Sequence, residues 1–560
     1  MISFILSVVV AAAPADKPLA VALSSFVKVR PGSEFVGSPD AKLSAARGEC
    51  EAVQIRVGED NANVTLTVPP LTGASPHTGA PIAPSLFVED FIEVKTPSNS
   101  EGAVGLWPDP LRPLLPGSAQ HSEADRPLVY YVELCVPLKQ KPGKYTSTME
   151  VASGARRLKL PLSLTVQPFA IPPTSSLPNS FGISLYSLAK GHGLDPTSPQ
   201  ARTLLSEYAK SALRHRISLH GMGMDPLPVK FEGGKAKVDF RAYDEELEPF
   251  LSGTALPSGA RFTTAEVRDN PKLTDDQRAL YYAALRDHFL HKSWPQLLFF
   301  YAKDEPKPAD FPKVVAQART VRRASGIPVL VTAPLTDALK DSTDILCPVM
   351  NCYFERPGPK TCNNVQPMES LKAQLGPRRA WWYQSCMSHG CDEGPIKDPA
   401  VEKAFSGWPS YMVDHPIALN RAMGPLAFLT GVQGELYFST VFAYNVRDPW
   451  TGLWDFGGNG DGTLFYPGTP ARIGGTENHP VESLRLKAIR DGLEDYEYAH
   501  LLDKLGDGAA ARDAVKTVIK SGYDIRRDET SWRGMREKLT LGINARWAGS
   551  EYARRWPVSE

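Results

Sequence analysis

Several absences narrow the reading before any motif is considered. Past the first residues, no stretch reaches the roughly 18 consecutive apolar residues of a membrane helix. Neither sign of charge prevails: 62 Lys and Arg stand against 62 Asp and Glu. That balance argues against nucleic acid or an anionic membrane surface as the main partner. No Cys-x-x-Cys pair speaks for structural zinc, and no Gly-x-Ser-x-Gly elbow or Walker-type phosphate loop is present. His215 with His220, and His288 with His291, lack the glutamate of a metalloprotease helix. The run Asp455 to Gly462 has the glycines of a calcium loop without its terminal bidentate Glu, so a tight turn is expected. No metal or cofactor is implied. There is no internal repeat and no low-complexity tract.

What is present points to several domains. A chain of 560 residues is too long for one core. Fifty prolines exceed the usual share of about 5% and favour stiff loops and β-rich architecture. The first fifteen residues form a short apolar core ending in Ala13-Pro14-Ala15, which fits a signal-peptidase site, so a secreted or periplasmic protein is expected. In an exported chain the seven cysteines read as disulfides, with Cys352 and Cys362, and Cys386 and Cys391, the locally plausible pairs. The odd count leaves one thiol over.

Residues 16–167 show short period-2 runs such as Glu51 to Val57 and Leu158 to Val166, broken by Pro and Gly. This texture predicts an antiparallel β-sandwich. Residues 168–179 form a proline-rich linker. Over 180–504 strand-like runs alternate with helical ones: 180–185, 217–222, 261–267, 296–301, 328–332, 344–349, 380–384 and 434–439. Eight strands in this alternation predict a (β/α)8 TIM-type barrel. A charged helical extension, 505–560, is expected to pack around it. The fold class is thus multi-domain: an N-terminal antiparallel β-sandwich, then the barrel, then additional C-terminal helices.

The chemistry concentrates where the aromatic run Leu297 to Tyr301 stops at Asp304-Glu305-Pro306. Proline cannot continue a ladder and is expected to hold Glu305 in the extended region. Carboxylates at the C-terminal mouth of a barrel strand are where such enzymes keep their reacting groups. Read the same way, the later strands bring Asn351, Trp381, Tyr383, Tyr437 and Trp450 to that opening. Acids, amides and flat rings together suit a sugar, whose C–H faces stack while its hydroxyls are hydrogen-bonded.

Farther on, Arg485 to Tyr498 includes Arg-Asp-Gly-Leu-Glu-Asp-Tyr-Glu-Tyr, an apolar stripe at helical spacing with charges on the remaining faces. Together with Tyr301 to Pro306, Trp381-Trp382-Tyr383, Tyr411 to Arg421 with Asp414, and Gly460-Asp461-Gly462 through Tyr466-Pro467-Gly468, it resembles glycoside hydrolase family 123 and the broader uncharacterised barrel family around it. The resemblance implies a β-sandwich beside a catalytic barrel and retaining cleavage of a terminal β-linked N-acetylhexosamine, GalNAc-like, without a cofactor. It implies that the sugar's own 2-acetamido oxygen is the nucleophile, one exception to the two-carboxylate scheme. Asp304 would orient the acetamido group, Glu305 would act as acid and then base, and Asp461 would join the substrate contacts. Two alternatives stay open: a glycosidase using the same acids on a sugar without an acetamido group, and a non-catalytic glycan-binding envelope protein.

Overall fold

The structure, a computed structural model, describes residues 18–557 except 60, 74–78, 124, 224–225 and 392–393. The expected signal segment, 1–15, lies outside the described residues.

The alternating N-terminal runs form two facing sheets. One has the spatial order Ala20–Ser24, Cys50–Val57, Val129–Cys135, Pro84–Val94 and Gly105–Pro113, antiparallel throughout. The other runs Ala41–Arg47, Arg156–Ala170, Gly143–Ser153, Asn61–Thr67 and Gln120–Ser122, with one parallel pairing between the first two. Ile55, Val132, Tyr145, Leu162 and Leu164 fill the space between them, as inward-facing alternate residues should. Two strands from far down the chain, Tyr466–Gly468 and His479–Ser483, extend the first sheet beyond Gly105–Pro113.

All eight strand-like runs of 180–504 become parallel strands. They are Asn179–Gly182, Leu219–His220, Thr264–Val267, Leu297–Lys303, Val329–Val331, Ile345–Leu346, a seventh broken at Trp381 into Arg379–Ala380 and Trp382–Tyr383, and Glu435–Tyr437. Ladders join the third strand through to the first half of the seventh, then its second half to the eighth, first and second. Between the second and third strands the link is made by side chains: Thr263 N–H donates to Ser218 Oγ at 2.7 Å. Helices with readable caps lie between the strands. Ser198 caps Pro199–Arg214, whose first residue is the proline that position favours. Thr274 and Gln277 form a reciprocal capping box on Asp275–His291.

Three disulfides form. Cys352–Cys362 and Cys386–Cys391 match the pairs expected from spacing, and Cys347 is the buried free thiol. The third joins Cys50 to Cys135, directly opposite each other on neighbouring sandwich strands and 85 residues apart in sequence.

The helix Leu484–Leu502 departs from the amphipathic pattern. Its charges do not face solvent: Arg485, Lys487, Arg490, Glu494, Asp495 and Glu497 are all buried. They are paired across elements. Arg485 makes a forked contact with Asp109 of the sandwich, Nη2 to Oδ2 at 2.8 Å, and donates through Nη1 to the carbonyls of Tyr411 and Gly460. Lys487 bridges Glu133 and Glu482, and Asp495 receives Arg421 at 2.6 Å. The helix also passes very close to its neighbour Ile417–Arg421: a Cβ on Gly492 would lie 2.1 Å from the Arg421 carbonyl oxygen. Only glycine fits there.

Removing one partner of a fully buried pair leaves the other charge uncompensated. Arg485→Met is therefore expected to destabilise the protein by about 3–5 kcal/mol, measured as a lower urea midpoint with an unchanged slope. The double variant Arg485→Met/Asp109→Leu should recover part of that loss.

Candidate active site

Side chains alternate along a strand, so Phe299 and Tyr301 share one face of Leu297–Lys303. That face packs with Leu330, Ile345, Cys347, Trp381 and Leu436 from the neighbouring strands. Tyr301 and Tyr383 stand at its edge, partly buried, and carry its two hydroxyls. Beyond them the chain leaves the strand and Asp304 and Glu305 are exposed.

Each acid is held by a hydroxyl. Tyr301 O–H donates to Asp304 Oδ1 at 2.7 Å, and Thr332 Oγ1 lies 3.1 Å from the same oxygen. Thr332 Oγ1 also accepts the Glu305 N–H at 2.6 Å. Tyr383 O–H donates to Glu305 Oε1. Burial, then the nearby carboxylate charge, raises the pKa of both tyrosines, so both stay protonated donors. Tyr301 and Thr332 thus occupy one oxygen of Asp304, and Tyr383 one oxygen of Glu305.

The backbone here differs from the expectation. Pro306 does not keep Glu305 extended: Glu305 has φ +40°, in the left-handed region. Such a conformation costs a non-glycine residue roughly 1–3 kcal/mol. The hydrogen bonds from the Glu305 amide to Thr332 and from Tyr383 to its carboxylate hold it. The turn directs the acid toward the seventh strand.

The remaining predicted residues fall into three places. Tyr383 meets Glu305 directly. Asn351, Trp381, Tyr437 and Asp461 are fully buried. Trp381 packs on Phe299 with ring centroids 6.0 Å apart, and Asn351 donates to the Met387 carbonyl at 3.1 Å. Tyr437 lies on the opposite face of its strand from Leu436, and its hydroxyl bonds Asp461 and the Gly462 amide. Asp461 also accepts from Ser385 and the Cys386 amide. Burial pushes Asp461 up to about 6, with those hydrogen bonds pulling the other way. Trp450 sits elsewhere, tilted against Tyr466 and donating to the Pro467 carbonyl, in a cluster with Ile92 and Trp107 of the sandwich. Sequence reasoning missed Thr332 as a site residue and took Tyr301 only as an apolar wall of the pocket, not as a hydroxyl donor. Thr332 closes the fifth strand-like run, the position where such side chains reach the mouth, and that placement was the available signal.

Cys386, His389 and Asp461 bring potential ligand atoms within 4.8 Å of one another. Cys386 is spent in its disulfide, so the imidazole and one carboxylate remain, too few for a tetrahedral shell. A groove of about 880 Å³ lies between the sandwich and the helix Glu529–Trp547, lined in part by Glu51, Trp532 and Arg536. It includes neither Asp304 nor Glu305.

The fold and site together define a class: an antiparallel sandwich joined to eight parallel strands, with a hydroxyl-braced carboxylate pair at one strand end. Among solved structures, the chain is similar to a family 123 glycoside hydrolase from Clostridium perfringens studied for glycolipid glycan hydrolysis. The TM-score is 0.64 at 13% identity, covering 96% of this chain and 98% of that one. The likeness establishes a shared fold. A putative alpha-galactosidase from Bacteroides fragilis (TM-score 0.21, 8% identity, 70% of this chain and 72% of that one) and beta-glucuronidase 3 from Bacteroides uniformis (0.26, 10%, 86% and 52%) resemble it too weakly to carry an argument. No protein-family model and no curated protein matches the sequence.

Glu435, on the eighth strand, is buried and bonded by the Tyr411 hydroxyl. Burial pushes its pKa up to about 7. Between pH 4.5 and 7 the folded state therefore keeps a proton that the unfolded chain has released. Stability contributed by this group falls as pH rises through that window and levels off above it. Glu435→Gln should flatten this dependence and be more stable than the parent above pH 7, by about 3 kcal/mol, in thermal melts run across pH 4.5–8.

Proposed function

We propose that the chain is a glycoside hydrolase acting on a terminal β-linked N-acetylhexosamine, with Asp304 and Glu305 as its reacting groups. The observation that carries the reading is the exposed carboxylate pair at the end of the fourth parallel strand, each acid braced by a hydroxyl from the strand face. The shared fold with a glycan-cleaving enzyme supports it. We read the eight strands, 180–504, as a (β/α)8 barrel, preceded by a sandwich at 16–167 and a linker at 168–179, and followed by helices at 505–560. Export to an oxidising compartment fits the three disulfides.

In the mechanism, the 2-acetamido carbonyl oxygen attacks its own anomeric carbon as the glycosidic C–O bond breaks. The departing oxygen takes a proton from the Glu305 carboxyl. Asp304 accepts the acetamido N–H through the oxygen not held by Tyr301, steadying the oxazolinium charge as it forms. Water then adds at the anomeric carbon as its bond to the acetamido oxygen breaks, restoring the acetamide, and yields its proton to Glu305, with net retention. The Tyr383 hydroxyl fixes which Glu305 oxygen is available. Adjacent acids serve this scheme because neither has to act as the nucleophile from the far side of the ring.

A panel of nitrophenyl glycosides containing β-GalNAc and β-GlcNAc tests the reading, with N-acetyl thiazoline expected to inhibit. Glu305→Gln should lower kcat at least 10³-fold with unchanged melting, and normal turnover in that variant would remove the assignment. Equal cleavage of glycosides lacking the acetamido group would leave the acids and sink the assisted mechanism. Tyr383→Phe should cost about 10-fold or more in kcat, since Glu305 loses its one orienting donor among the described residues.

A further inference from the structure

One cluster of potential ligand atoms lies outside the proposed mechanism. Cys386 and His389 stand on the loop after the seventh strand, and Asp461 on the loop after the eighth. All three are buried, with donor atoms within 4.8 Å of one another. His389 Nε2 is 3.7 Å from Asp461 Oδ2. Two nitrogen or oxygen ligands of one tetrahedral zinc are about 3.4 Å apart, so this pair is already near the required spacing.

The imidazole offers a lone pair that no protein group takes. His389 is 2% exposed, and its Nε2 has no hydrogen-bond partner among the described residues. The Phe456 carbonyl faces the ring without closing a hydrogen bond at that nitrogen. Nδ1 lies 3.1 Å from Ser388 Oγ, which gives its own proton to Ser410. Ser388 can therefore accept Nδ1–H, and that tautomer leaves Nε2 bare, the arrangement found in metal-bound histidines. Asp461 Oδ2 is steadied by Ser385 Oγ and the Cys386 amide, each at 3.1 Å, and a carboxylate so held keeps lone-pair capacity.

The third ligand is withheld by the Cys386–Cys391 bond. Its ends differ: Cys386 is buried in the cluster, whereas Cys391 is exposed and borders a surface cavity of about 420 Å³. A dithiol reductant thus meets the Cys391 sulfur. Its thiolate attacks there, the S–S bond breaks, and the electron pair leaves on Cys386 Sγ as a thiolate inside the cluster. The second thiolate of the reductant then displaces Cys391, so the protein disulfide is reduced to thiols and the dithiol is oxidised to its own disulfide.

We propose that Cys386, His389 and Asp461 bind a divalent cation of the zinc class once the Cys386–Cys391 bond is opened, with water as the fourth ligand. Mixed sulfur, nitrogen and oxygen donors suit zinc, whereas magnesium and calcium take oxygen. Disulfide and metal are alternative staples for the loop that follows Tyr383. Metal binding there is independent of the glycosidase reading.

The test is Cys391→Ser, prepared without reductant so that the Cys50–Cys135 and Cys352–Cys362 bonds stay closed. Its free thiols are Cys386 and Cys347, and the oxidised parent, with Cys347 alone, is the control. Titrated with cobalt(II), the variant should develop a thiolate-to-cobalt charge-transfer band and tetrahedral d–d bands that zinc abolishes, and the parent should not. Affinity should fall by about 100-fold or more in Cys391→Ser/His389→Gln, which keeps most of the ring's volume. X-ray absorption at the zinc edge of Cys391→Ser should find a single sulfur among nitrogen and oxygen neighbours. A missing charge-transfer band, the same band in the parent, or undiminished affinity in the double variant overturns the site. So does a zinc shell with no sulfur or with more than one.

Discussion

The two halves of this molecule are joined through buried charge, and the geometry elsewhere depends on it. Arg485 sits at the centre, with no solvent contact, spanning Asp109 on a sandwich strand and the carbonyls of Tyr411 and Gly460. Around it, Lys487 and Arg490 converge on Glu133, Arg216 reaches Glu494, and Arg536 joins Glu49 to Asp495. An isolated charge at such depth costs several kcal/mol, so these pairs are strongly set against any docking that separates them. A hydrophobic interface could slide; a forked guanidinium pair cannot do so without breaking its directed hydrogen bonds.

That rigidity reaches the candidate site. The Tyr411 carbonyl is fixed by Arg485, and the Tyr411 hydroxyl bonds Glu435 on the eighth strand. The Gly460 carbonyl is fixed too, and the next residue, Asp461, gathers Ser385, the Cys386 amide and Tyr437. Ser385 lies two residues beyond Tyr383. The loops after the seventh and eighth strands are therefore tied to the sandwich, while the carboxylates rest on three hydroxyls, those of Tyr301, Thr332 and Tyr383. On the proposed reading, the pair would draw its positioning from this supporting layer.

The strings behind the family resemblance divide accordingly. Asp304-Glu305 is exposed. Asp414 receives both the amide and the hydroxyl of Ser98, Arg421 pairs with Asp495, Asp461 knots the seventh- and eighth-strand loops, and Tyr466 bonds Asp109. Two of these contacts join the sandwich to the following domain and two tie elements within it. Asp461, Tyr437 and Trp381 resemble ligand contacts in sequence because carboxylates and rings serve both purposes, and a linear string does not show which side of a strand they face.

The sequence by itself determined where strands and helices lie, since period-2 and period-3.6 patterns, caps and prolines act locally. It also determined that two acids follow the fourth strand, and that Cys352 with Cys362 and Cys386 with Cys391 are close enough along the chain to pair. Only the tertiary structure decided that Cys50 meets Cys135, that the charges of Leu484–Leu502 turn inward, and that Tyr301, Thr332 and Tyr383 brace the acids. It likewise turned Glu305 into a left-handed backbone and left Phe438 and Phe456 exposed. The reason is physical: apart from Tyr301 reaching Asp304 three residues on, these outcomes depend on segments tens to hundreds of residues apart. The free energy of such a contact depends on what arrives from the other segment, which no local pattern encodes.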